Sequence, residues 1–389
     1  MTSVQTVPDA RQATIAASFR AKDNSLNFLR LALAVTVIAS HAIFFWGHGT
    51  DWIGNKTTIG SLAVYGFFGI SGFLIAGSAE RNGIGRYLWL RALRIFPAFW
   101  VCLIVTAFGF ALVGWQRELN HYGLNGTVSQ YMHLANGPVG YVTNNWFLKL
   151  RQYFIGTTDW NASIWSLYYE FLCYLILGGL ALFGILRRRR LVLGLWAATW
   201  VWEFVATAVP RVNHHVSVGV QGNRLTVLVP VFLTGAVIHL YQDRILDTAW
   251  LALASTGVVV ASLWMPIGAS IPFFTLTSTG LFAVFIVYPM IWLGIHLPLQ
   301  RLGSKNDYSY GVYIYAFPVQ SLLTLWGVAL WGYVPFVLMG ILCTVPFAVA
   351  SWWLVERPAL KLRKWSPITF GPREPPPEEI ASDGFRSDF

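Results

Sequence analysis

A chain of 389 residues that is 56% hydrophobic and 11% charged, with a mean hydropathy of +0.55, lies outside the range of soluble domains. Apolar runs recur almost from end to end, which excludes a pair of soluble domains and argues for one all-α polytopic membrane unit. The net charge of +10 follows from where the cations fall between those runs, so nucleic-acid binding need not be invoked.

Residues 1–24 form a polar leader expected on the cytoplasmic side. Ten spans follow, at 25–46, 59–78, 93–114, 164–186, 191–209, 225–241, 249–265, 271–294, 310–330 and 332–354. The fifth, with Glu203, and the ninth, with Pro318, are poor lipid-facing helices and belong in the bundle interior. The first apolar run is too long for a cleaved signal and remains a span. With the amino terminus inside, 20 of the 27 lysines and arginines fall on the cytoplasmic side and 6 outside, with Arg30 within the membrane, so both termini are expected to be cytoplasmic. The RRRR run at 187–190 reads chiefly as a topogenic anchor at the headgroups, with an anion site as the lesser alternative.

The first span carries Arg30 and His41, eleven residues apart and so on one face, displaced by roughly 16 Å along the axis. Ionisable groups at that depth are costly to bury, and they point to chemistry inside the membrane. Arg91 and Arg94, in RALR, stand three apart at the start of the third span, where they serve either as anchors or as a phosphate grip. The stretch 115–163 is an outer loop rich in Asn, Gly, His, Tyr and Trp, suited to a polyhydroxy ligand or to covering the bundle at the interface. In WSLYYE, Glu170 lies about two turns below the outer surface, at a depth similar to that of His41. If spans one and four pack together, the two form either a general base with its orienter or a structural hydrogen bond. Cys102, Cys173 and Cys343 show no metal spacing, and neither a protein-bound metal nor a dinucleotide cofactor has support. Residues 361–389, with PREPPPEE, are expected to be a disordered cytoplasmic tail.

Taken in order, Arg30 with His41, FFGISGFLI at 67–75, RALR at 91–94, WSLYYE at 165–170, DYSYGVYIYAF at 307–317 and VERP at 355–358 resemble the membrane-bound acyltransferase-3 family over residues 25–360. The resemblance implies a ten-helix core in a bacterial-type inner membrane. This core would pass an acyl group, commonly acetyl, from cytoplasmic acetyl-CoA or another acyl-CoA to a hydroxyl of an extracytoplasmic saccharide or glycolipid. It implies Arg30 and His41 as the essential pair and Arg91 with Arg94 as the grip on coenzyme A. Glu170 and Glu356 match acidic positions, with Glu356 the weaker for chemistry, and Trp165, Ser166 and Tyr168 fall in the acceptor-side motif. Ser71, Ser166, Tyr168 or a backbone N–H would supply the oxyanion donor.

Many members of the family carry a histidine late in the tyrosine-rich helix, where this chain reads FPVQ with Gln320. Some also carry a fused extracytoplasmic domain, which is not expected here, so that either the core acylates its acceptor directly or a separate extracytoplasmic partner does so; a homo-oligomer is left open. Direct attack assisted by His41 is preferred to an acyl-histidine. The rival reading is a proton-coupled transporter or exporter of a polyhydroxy substrate, built from the same buried Arg, His and Glu.

Overall fold

The computed structural model describes residues 13–365 apart from short segments at 48, 50–51, 54–56, 122, 135, 149–153, 156–157, 209–219, 265–279 and 304–305. The proline-rich tail beyond 365 lies outside the described residues, as do Arg11, Lys56, Lys149, Arg151, Arg211 and Lys305 of the charge count.

Among the described residues the ten expected spans correspond to ten long helices. They are α1 Leu26–Phe45, α2 Ile59–Arg81, α3 Ile84–His121, α4 Trp165–Leu182, α5 Arg189–Ala208, α6 Val220–Leu240, α7 Ala249–Trp264, α8 Gly280–His296, α9 Ser309–Leu325 and α10 Tyr333–Ser351. Five segments, Leu26–Phe45, Ile59–Arg81, Ile84–His121, Ala162–Leu182 and Tyr333–Lys364, are long and apolar enough to cross a membrane, and three shorter helices are also apolar. The chain is an all-α multi-pass membrane protein. Among the described residues the strands form two antiparallel two-residue ribbons, Trp52–Ile53 with Thr57–Thr58 and Phe154–Ile155 with Thr158–Asp159.

Local chemistry explains the starts and the close contacts. The hydroxyl of Thr58 accepts from the backbone N–H of Ser61 and caps α2. Two small residues then let α2 and α6 approach backbone to backbone. A Cβ on Gly72 would fall 1.9 Å from the carbonyl oxygen of Phe232, and one on Gly235 would fall 2.0 Å from that of Gly69. The glycines of FFGISGFLI are therefore a packing surface.

Three outcomes bear on the sequence expectation, and two of them differ from it. α3 begins at Ile84, nine residues earlier than the apolar run suggests, because Tyr87, Leu93 and Ile95 form its buried face while Arg91 and Arg94 point to partners inside the protein. α9 is indeed interior, with every residue from Ser309 to Ser321 buried. α5 is peripheral: Leu191, Leu193, Leu195, Val201 and Trp202 are exposed, and a single acid, Glu203, turns inward to full burial.

α3 contains a π-turn at Thr106–Phe110, and a second, at Trp352–Glu356, directly follows α10. The described part of the leader docks on the bundle: Ile15 is fully buried, and the backbone at 15–16 donates to the carbonyls of Ile245 and Gln242 beyond α6. The segment between α3 and α4 is folded against the bundle. Tyr131 donates to the carbonyl of Ala107, and Trp100 stacks on Trp146 at 5.0 Å while its indole N–H donates to that residue's carbonyl at 2.8 Å.

Candidate functional site

Four charged side chains from four parts of the chain meet at one end of the bundle. Arg30 of α1 and Arg94 of α3 both reach Oδ2 of Asp307, at 2.9 and 2.5 Å, and Arg94 also reaches Glu356 Oε2 at 3.2 Å. Asp307 sits just ahead of α9, where its Oδ1 accepts from the hydroxyl and backbone N–H of Ser309 at 2.5 and 3.2 Å. Burial works to raise the pKa of this carboxyl, but Arg94 and then Arg30, with Ser309, hold it down at about 2. Glu356 is brought inward by the second π-turn, and its other oxygen accepts from the hydroxyl of Ser351 at 3.0 Å. The Arg94 guanidinium lies over the Tyr310 ring at 5.6 Å.

Arg91 differs from its neighbour one turn away. It stands 5.9 Å from the centre of the Tyr174 ring, it has no carboxylate partner among the described residues, and its buried Nε has no hydrogen-bond partner there. A group with donors to spare and no counter-ion fits an anion such as a phosphate. In the RALR pair, then, Arg94 is tied into the protein and Arg91 is available.

Next to this network runs a narrow cavity of about 30 Å³ that Arg30, Phe67, Ser166, Glu170, Tyr310 and Tyr313 help to line. Glu170 Oε1 accepts from Ser71 at 3.1 Å and from Tyr174, one turn on in α4, at 2.5 Å. Ser166 and Tyr313 share a hydrogen bond of 2.6 Å. The two serines named as oxyanion donors are thus engaged within the protein.

Glu170 shares this cavity with Arg30 rather than with His41. The reason lies in the packing, because α4 rests on α2, α3 and α6. His41 lies about three turns along α1 from Arg30, with its ring edge-to-face against Phe317 of α9 at 5.2 Å. One turn beyond Phe317, the buried Gln320 amide donates to the carbonyl of Ile38 at 2.9 Å and so ties α9 to the His41 turn of α1. In WSLYYE, Trp165 carries the guanidinium of Arg224 over its ring at 4.1 Å, and Tyr168 and Trp165 both pack edge-on to Tyr169.

Sequence reasoning missed Asp307, Ser309 and Tyr174. The first two had a readable signal: an Asp two residues ahead of a Ser that opens a helix is a common local cap, and the DYS of DYSYGVYIYAF holds it. Nothing in the spacing shows that Asp307 would also receive two arginines from residues more than 200 positions away.

A model of an acyltransferase domain, acyltransferase family 3, matches residues 23–353. The chain is 28% identical over 355 residues to an O-acetyl transferase of Shigella phage Sf6, covering 86% of this chain and 96% of the relative. It is 29% identical over 369 residues to nodulation protein 10 of Rhizobium leguminosarum bv. viciae, covering 87% and 94%. No solved structure matches it.

Proposed function

Since the chain belongs to the acyltransferase-3 family, we propose that it moves an acyl group, best represented by acetyl, from acyl-coenzyme A to a hydroxyl of a saccharide or glycolipid on the far side of the membrane. The name of the Shigella phage relative supports acetyl and oxygen as the group and the accepting atom. The observation that carries the reading is the contrast between Arg91 and Arg94. One arginine of the pair is neutralised by Asp307 and Glu356, and the other stands half-buried with an unpartnered Nε and no acid among the described residues, over the ring of Tyr174, whose hydroxyl donates to Glu170 in the cavity wall.

The donor would supply a thioester and a set of anionic phosphates. Arg91 would pair with a phosphate, with Arg94 fixed behind it by its two carboxylates. Arg30, set by Asp307, would present its remaining donors toward the cavity. His41, farther along α1, would take the proton of the accepting hydroxyl as its oxygen attacks the acyl carbon; the C–S bond breaks as the new ester forms, and the leaving thiolate would take that proton back from the imidazolium. Phe317 and the Gln320 tie to Ile38 hold the helix turn that carries the imidazole. Glu170, with Ser71 and Tyr174 donating to it, is the acid of the cavity wall. In this reading the cofactor end faces the cytoplasm with both termini, and Trp165, Ser166 and Tyr168 face the acceptor.

The test is transfer of radiolabel from acetyl-coenzyme A to envelope glycans in membranes holding matched amounts of the wild type or His41→Ala. Label with the wild type that vanishes in the folded variant is the expected result. Absence of label together with absence of coenzyme A binding would overturn it in favour of a proton-coupled exporter.

A further inference from the structure

The arginine run at 187–190 does not lie on an open loop. Leu186 and Val192, on either side, are 1% and 0% exposed, so the backbone that carries the run is pinned to the bundle between α4 and α5. Its side chains converge with Tyr241 and Arg244, which follow α6, around an open pocket of about 490 Å³. Arg189 is neutralised by Asp243 through contacts of 2.7 and 2.9 Å. Arg187, Arg188, Arg190 and Arg244 have no acidic partner among the described residues.

We propose that this pocket holds the phosphate headgroup of an anionic membrane lipid. A topogenic run needs only to be positive and solvated; it has no need of a fifth arginine from a turn more than fifty residues away, nor of a tyrosine hydroxyl beside it. Four uncompensated guanidinium groups around one pocket fit a headgroup carrying more than one phosphate, because each fork can pair two oxygens. Leu191 lines the pocket itself, and further exposed apolar side chains close in sequence to its arginines favour a lipid over a soluble phosphate. Leu182 and Phe183 at the end of α4, Leu191 in the first turn of α5 and Trp250 at the start of α7 are all exposed, Phe183 and Trp250 by about four-fifths. In a multi-pass protein such faces meet acyl chains, so a headgroup in the pocket would continue into tails along α4, α5 and α7. The site is independent of the acyl-transfer reading and lies apart from Arg91 and Arg94.

Native mass spectrometry of the whole chain in detergent tests it, with tetraoleoyl cardiolipin as the diphosphate lipid, phosphatidylcholine as the neutral one, and inorganic pyrophosphate and coenzyme A as soluble competitors. Arg244→Gln is the first variant, since it leaves the run and its topogenic charge intact. The second changes Arg187, Arg188 and Arg190 to lysine, which keeps charge and orientation but removes the forks. Retention of cardiolipin and not phosphatidylcholine, weakened about fivefold by Arg244→Gln and also by the lysine variant, is expected. Undiminished retention by both variants would overturn the proposal. Displacement of cardiolipin by an equal concentration of pyrophosphate or coenzyme A would also overturn it, by making the pocket a site for soluble phosphates.

Discussion

Arg30 of α1 and Arg94 of α3 converge on one oxygen, Oδ2 of Asp307, which holds two like charges within a few ångströms of each other. Without the carboxylate, two largely buried cations would face each other across the helix junction. Removing one partner of a buried ion pair costs about 3 kcal/mol or more. Asp307→Asn is therefore expected to lower the melting temperature of the detergent-purified protein and to abolish transfer, while Asp307→Glu recovers part of both. An unchanged melting temperature in Asp307→Asn would show that the arginines find other partners.

Arg91 and Arg94 should separate in kinetics although they sit one turn apart. Arg91→Gln removes a cation with no internal acid and is expected to raise KM for acyl-coenzyme A about tenfold or more with a normal melting temperature. Arg94→Gln leaves Asp307 and Glu356 facing each other and is expected to lower the yield of folded protein. Steady-state kinetics alongside thermal denaturation distinguishes the two; equal effects on both readouts would contradict the division of roles.

Two aspartates outside the helices give opposite pH responses. Asp307 is held down at about 2, so its contribution to stability is present above its ordinary value near 4 and is lost as pH falls from there toward 2. Asp159, in the second ribbon, is pushed by burial up to about 6 from 3.8, against the backbone N–H of Asn161 that favours its charged form. Its protonated form is the better accommodated one, so its contribution is full below 3.8 and disappears as pH rises through 6. Asp159→Asn should accordingly stabilise the protein more at pH 7.5 than at pH 4, as read from melting temperatures at the two values. A pH-independent difference would count against this assignment.

Glycine positions supply a steric test. Gly72→Ala sets a methyl against the Phe232 carbonyl and should cost at least about 3 kcal/mol or prevent accumulation, since backbone cannot yield as a side chain can. Gly179→Ala meets nothing within 4 Å and should be neutral or slightly stabilising. Comparing the two in melting temperature and membrane abundance separates packing from a general intolerance of α2 and α4 to substitution.

The helices were legible because each apolar run is long, and α9 could be assigned to the interior because Pro318 and its many tyrosines suit no lipid face. α3 was misjudged at its start since hydropathy counts Arg91 and Arg94 as solvent-facing, whereas both are turned into the protein. The same bias sent α5 inward on the strength of Glu203 alone, when one face of a peripheral helix can bury a single acid. Arg30 was readable as a costly charge with an unknown partner, Arg94 as an anchor or a phosphate grip, and Glu356 as an acid of weaker chemical promise. That Asp307 would bind two of them depends on the three-dimensional meeting of α1, α3 and α9, which no spacing along the chain encodes.

The π-turn at Trp352–Glu356 amounts to one residue more than an α-helix would use over the same rise. Deleting Trp353 or Leu354 would close the wide turn into regular helix and re-aim the residues within it. Glu356 would then leave Arg94, and the contact of the Arg357 guanidinium with the Trp353 ring, over which it lies at 4.3 Å, would be lost. The length of this stretch is thus as constrained as its composition: it should accept conservative replacements at the exposed Trp353 and Leu354 far more readily than the loss of either residue.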